Sequence, residues 1–146
     1  MRIKLQQGEV AGWVQIVLET NDGSKIRLWV SNAHTPFDDL LDFLKDIALG
    51  AFPCDFEISD EGDRVIWQGL AHPNRPLFRL RVFRKKRSYD DVLLNELLER
   101  KTFVRSFYQT LIQFRKEFDS GLWQGAILPG DIDSLAYLLM TWEQSW

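Results

Sequence analysis

"SNAHTPFDDLLDFLKDIALG", Ser31 to Gly50, decides the fold class, because it sets one well-punctuated helix between stretches of strand pattern. Thr35 suits the N-cap, where its hydroxyl accepts from a backbone N–H two or three residues on. Pro36 suits the first helical position, and Asp38 completes a capping box in the place usually held by Glu. Phe37, Leu40, Leu41, Leu44, Ile47 and Ala48 then follow the i, i+3, i+4, i+7 spacing of a buried stripe, and Gly50 supplies a left-handed C-terminal residue. Asp38, Asp39 and Asp42 are left facing solvent. The first two also sit in the first turn, where the helix dipole favours negative charge by about 0.3–1 kcal/mol.

The same stretch places His34 beside those three aspartates. A metal centre would need further ligands from a distant segment, and no recognised ligand spacing supplies them. The expectation is no metal and no cofactor, with His34 lying outside the helix cap. His72, in "LAHPNRP", reads as an exposed loop histidine.

On the N-terminal side, "GWVQIVLET" and "SKIRLWVS" are β-rich runs separated by Asn21-Asp22-Gly23, whose Asp-Gly pair tolerates the positive φ of a hairpin turn. Ile26, Leu28 and Val30 share one face of the second run, and Lys25, Arg27 and Trp29 the other. "RIKL" precedes them as an edge strand. Beyond Gly50, Cys54, Phe56 and Ile58 share a face, "SDEGD" turns the chain, and Val65 and Trp67 alternate with Arg64, Ile66 and Gln68. A further strand is expected from Leu77 to Arg84, with Phe78, Leu80 and Val82 inward and Arg79, Arg81 and Phe83 outward. Together these predict an antiparallel sheet of five or six strands, with a helix inserted after the third.

From Tyr89 to Phe118 there is neither proline nor glycine, and Ser88 with Asp90 and Asp91 resembles another helix start. The expectation is one long helix with a stripe of Leu93, Leu97, Val104, Phe107, Tyr108, Leu111 and Phe114 or Phe118, kinked at "ERKT" (Glu99 to Thr102). "DSGLWQGAILPGD" breaks the chain, and Ile132 to Trp142 reads as a last helix capped by Asp131. The whole is expected to be a single α+β domain over residues 1–146 with two C-terminal helices, one of them long.

A chain of 146 residues buries roughly 70% of its unfolded surface. The 45% hydrophobic content, with six Trp and ten Phe, excludes a disordered protein. Cys54 is the single cysteine, so no intramolecular disulfide forms and a reducing compartment is the default, the cytoplasm. The N-terminus alternates too strictly for a signal peptide, and no apolar run approaches the ~20 residues of a membrane span.

Net charge is a modest −3, but its distribution is uneven. Between Asp38 and Arg64 stand nine acidic and two basic side chains, a local balance of −7, whereas "FRLRVFRKKR" (Phe78 to Arg87) holds six cations and no acid. Arg79, Arg81, Arg84, Lys85, Lys86 and Arg87 form a candidate phosphate-binding patch. The acidity of the molecule argues against nucleic acid, whose partners carry an excess of positive charge. Chemistry is equally poorly served. Cys54 lies in an alternating apolar face as a buried thiol, Asp55 and Glu57 are explained by solvated alternation, and neither a nucleophile elbow nor a phosphate loop is present.

The order "W-V-S-x-x-x-x-P-F-D-D-L-L-D-F-L", then "A-L-G", an acidic turn "D-E-G-D-R-V-I-W" and a strand ending "L-R-V-F" resembles a family of small uncharacterised bacterial proteins over Trp29 to Phe83. The resemblance implies a sheet with a capped helix after its third strand; Asp60-Glu61-Gly62-Asp63 departs from the family's acidic turn by lacking its proline. In size and style the chain also resembles immunity proteins encoded beside bacterial toxins. The function expected is therefore a protein-binding module, toxin-neutralising in type, meeting a basic partner through Asp38, Asp39, Asp42, Asp60, Glu61 and Asp63, with Trp123 as an aromatic contact. Trp146 is a further exposed-aromatic candidate, and a homo-oligomer is compatible with this reading. An enzyme with an acid/base site is the second class, and a nucleic-acid binder using residues 79–87 the third.

Overall fold

A computed structural model describes residues 1–8, 12–31, 36–60, 62–118, 127 and 129–145. The chain opens with a three-stranded antiparallel meander, β1 (Arg2–Gln7), β2 (Trp13–Glu19) and β3 (Lys25–Ser31). Ile3, Val14, Ile16, Leu18, Leu28 and Val30 are buried on its inner face. The β2–β3 turn is built as its sequence predicts. Gly23 has φ +87°, and the Asp22 carboxylate accepts from the Thr20 hydroxyl and from the Ser24 N–H, the latter at 2.9 Å. Those bonds hold Asp22 down to about 2.

Helix α1 (Pro36–Leu49) buries Phe37, Leu40, Leu41, Leu44 and Ile47, and also Phe43, which the predicted stripe omits. Gly50, at φ +71°, ends it in a Schellman arrangement: the Gly50 N–H donates to Ile47 O at 3.2 Å and the Ala51 N–H to Asp46 O at 2.9 Å. Thr35 and His34 lie outside the described residues.

A second antiparallel sheet follows in the order β4 (Cys54–Asp60), β5 (Asp63–Ala71), β6 (Leu77–Lys85) and β7 (Asp90–Glu99). The expected single sheet of five or six strands is thus corrected to two sheets, of three and four strands. The inserted helix separates two meanders that each close their own ladder. The expected helix from Tyr89 is corrected too. Residues Asp90–Glu99 pair with β6, Leu94 facing Val82 and Leu98 facing Phe78, and "ERKT" marks the junction where strand becomes helix rather than a kink. Without β7 the ladder groups of β6 would be left open on that side. Helix α2 (Arg100–Phe118) then buries Phe103, Val104, Phe107, Leu111 and Phe114. Helix α3 (Pro129–Ser145) starts before Asp131, which lies in its first turn rather than capping it.

One hydrophobic cluster draws on both sheets and all three helices. An aromatic chain runs through it: Phe43 meets Phe56 at 4.9 Å, Phe56 meets Trp67 at 5.0 Å, Trp67 meets Phe107 at 5.9 Å, Phe107 meets Phe103 at 5.3 Å, and Phe103 meets Phe78 at 5.3 Å. Six of the sixteen Trp and Phe rings thus lock α1 and α2 to the four-stranded sheet. Each such pair adds about 0.5–1.5 kcal/mol beyond its area burial.

Candidate functional site

The acidic residues separate into two groups with different fates. On α1, Asp38, Asp39 and Asp42 are exposed and make no ion pair among the described residues, while the neighbouring Lys45 turns to Asp131 of α3 at 4.0 Å. Asp46, one turn beyond Asp42, is half-buried, and its carboxyl is raised by burial and by the charge of Asp42. At the β4–β5 turn, Gly62 takes φ +89°, and Asp63 is committed to cations on the adjoining strand end: Arg84 at 3.4 Å and Lys86 at 4.0 Å. Asp60 pairs with Asp63 through the backbone ladder. The Asp60 side chain and Glu61 lie outside the described residues, as do Trp123 and Trp146.

The basic run is largely answered from within the molecule. Asp90 takes Lys85 at 3.4 Å and Arg81 at 3.9 Å, Asn95 accepts from Arg79 at 2.9 Å, and Asp63 takes Arg84 and Lys86. Phe83, expected outward, is only 5% exposed, because the Arg81 guanidinium lies over its ring at 4.6 Å. Arg87 is exposed without an acidic partner among the described residues. On the same sheet Arg64 grips Glu57 at 2.6 and 3.0 Å; this hydrogen bonding lowers the Glu57 carboxyl and raises the Arg64 guanidinium.

Cys54 is 7% exposed, opposite Gly69 in the β4–β5 ladder, and burial, aided by the charge of Asp46, pushes its thiol up to about 12. It is packed, not poised as a nucleophile. His72 sits in the β5–β6 loop, half-buried rather than exposed, with its Nδ1 accepting the Asn74 N–H at 3.0 Å. No group of three or more metal-ligating side chains gathers among the described residues.

The residue that the sequence reading missed is Arg100. It is the one charged side chain buried among the described residues, at 6% exposure. Its Nε donates to Ile47 O at 2.9 Å, its Nη2 to Ala48 O at 3.0 Å and its Nη1 to Arg75 O at 3.1 Å, with its guanidinium over the rings of Phe52 and Trp142. A cation thus satisfies the carbonyl end of α1, where the dipole is negative. An open cleft of about 1070 Å³ adjoins it, walled by His72, Arg75, Leu138 and Trp142. Because the guanidinium donates to three carbonyls, this wall of the cleft is first a structural joint. The sequence signal was present in part: a helix ending at glycine leaves carbonyls that call for a donor.

No helix among the described residues is long and apolar enough to cross a membrane. Compared with protein-family models, curated proteins and solved structures, the chain matches none. The resemblance over Trp29 to Phe83 therefore rests on motif order alone.

Proposed function

We propose that this chain is a non-enzymatic protein-binding module, toxin-neutralising in type, that presents the outer face of α1 to a basic partner. One observation carries the reading: Asp38, Asp39 and Asp42 are exposed and unpaired among the described residues, whereas Glu57, Asp63 and Asp90 are each matched by a cation of the chain itself. The recognition surface is narrower than the whole acidic block, because Asp63 serves the basic run. The ion pairs that engage Arg81, Arg84, Lys85 and Lys86 with Asp63 and Asp90 also weigh against phosphate binding by residues 79–87, and the burial of Cys54 weighs against cysteine chemistry.

Exposed carboxylates of this kind chiefly accelerate encounter and select the partner. Affinity capture from the native host, run in parallel with the wild type and with Asp38→Asn/Asp39→Asn/Asp42→Asn, tests the reading. The expected result is a basic protein retained by the wild type, depleted on the variant and released by salt. Equal recovery on both baits at every salt concentration would remove α1 from the interface.

A further inference from the structure

The outer face of the three-stranded sheet carries a second charge pattern, opposite in sign to α1. Strand register sets it out in rows: Arg2, Glu19 and Lys25 are aligned across β1, β2 and β3; next come Lys4, Val17 and Arg27; then Gln6, Gln15 and Trp29; and Trp13 lies opposite Ser31 at the end. Arg2, Lys4, Lys25 and Arg27 are all exposed, and none makes an ion pair among the described residues. Glu19 is the one acid in these rows. Val17 is only 5% exposed, consistent with its place between the long side chains of Lys4 and Arg27. Trp13 and Trp29 are half-buried, and Gly8 leaves room for the Trp29 ring, since any Cβ there would come within 2.7 Å of it.

We infer that this sheet face is a binding platform for single-stranded nucleic acid. The four cations flank the middle strand in two rows, so a phosphate chain crossing the sheet meets positive charge on both sides of β2. Adjacent strands are about 4.8 Å apart, which places the cations of β1 and β3 about 10 Å from each other. The next row offers the amides of Gln6 and Gln15, and Trp13 at the start of β2 adds an indole, groups that hydrogen-bond base edges and stack on base faces. An anionic membrane is a poorer occupant. None of the exposed large hydrophobic side chains among the described residues, Leu49, Tyr89, Val92, Leu97, Tyr137 and Met140, belongs to this sheet, whose outer face is apolar only at the half-buried Trp13 and Trp29 and the covered Val17. The molecule's net acidity lowers its long-range attraction for a phosphate chain, but the acids of α1 and the cations of this sheet occupy different elements, so the local charge of the face stays positive. The platform is independent of the α1 interface.

The probe is a fluorescein-labelled oligothymidylate of about 16 nucleotides, the upper site size of a small single-strand-binding fold, titrated with the full chain and followed by anisotropy. Binding is expected to weaken with salt along a log–log slope of about 3, the value for four contacts to a single strand. Lys4→Ala/Arg27→Ala should lower that slope by about 1.4. Trp13→Ala should weaken binding about tenfold and leave the slope unchanged. Arg84→Ala/Lys86→Ala should alter neither. Thermal melts verify that each variant is folded, and Lys25→Glu gives a second test of the same rows if the double variant is not. Failure to bind at low salt, equal affinity for a duplex of the same sequence, displacement by phosphatidylserine vesicles, or a slope indifferent to these cations would each overturn the proposal.

Discussion

Arg100 shows how one side chain fastens three separate segments. Its guanidinium answers carbonyls at Ile47, Ala48 and Arg75, and its own N–H donates to Pro76 O at 2.8 Å, so the end of α1, the β5–β6 loop and the start of α2 meet at one residue. Arg100→Met keeps much of the packing but strands those acceptors; we predict a loss of at least about 2 kcal/mol in urea denaturation, part of it restored in Arg100→Lys. An unchanged midpoint would mean that water replaces the guanidinium without cost. Cys54 makes a pH prediction. Its folded pKa is raised to about 12 from an ordinary 9.0, so the folded state holds the proton more tightly than the unfolded chain does. Its stabilising contribution is complete below pH 9 and is lost as pH rises from there towards 12. Between pH 9 and 10.5 the wild type should therefore lose stability more steeply than Cys54→Ala, a comparison in which other titrating groups cancel. Parallel curves would contradict the assignment.

Among the elements, α1 was legible because its signals are local: a proline at its first position, a 3.6-residue apolar stripe and a glycine at its end. Strand β7 was not. In "DDVLLNELLE" the pairs Leu93-Leu94 and Leu97-Leu98 stand four apart and suit a helix as well as a strand, and only the open side of β6 decides between them. The division into two sheets is non-local in the same way, since nothing within a strand names its neighbour. Candidate site residues followed suit. The exposure of Asp38, Asp39 and Asp42 was readable from helical periodicity, whereas the Asp63–Arg84 pairing depends on β5–β6 register. The β4–β5 register, which sets Gly69 opposite Cys54, likewise explains Gly69: a Cβ there would stand 2.9 Å from Cys54 Sγ and 3.3 Å from the Phe52 ring. Gly69→Ala should cost about 1–3 kcal/mol, and Gly69→Ala/Cys54→Ala should cost less than the sum of the two single changes. Strict additivity in chemical denaturation would show that the sulfur is not the obstacle.

At the scale of the molecule, the net charge of −3 conceals a partition. Most of the basic strand end is ion-paired at home, whereas, among the described residues, the three-stranded sheet keeps unpaired cations outward and α1 keeps Asp38, Asp39 and Asp42 unpaired and outward. Composition could reveal the acidic block but not which of its members were already engaged, because pairing is a property of register. At ~0.15 M ionic strength the Debye length is about 8 Å, so any association steered by α1 must weaken as salt is raised. The measurement that tests the central claim most directly is the association rate, across a salt series, of the captured basic partner with the wild type and with Asp38→Asn/Asp39→Asn/Asp42→Asn, each first verified as folded by its thermal melt. The account predicts a wild-type rate that falls with salt and a variant that is slow at low salt and nearly insensitive to it. Identical rates with identical salt dependence would contradict it, and would mean that the aspartates of α1 only solvate the helix.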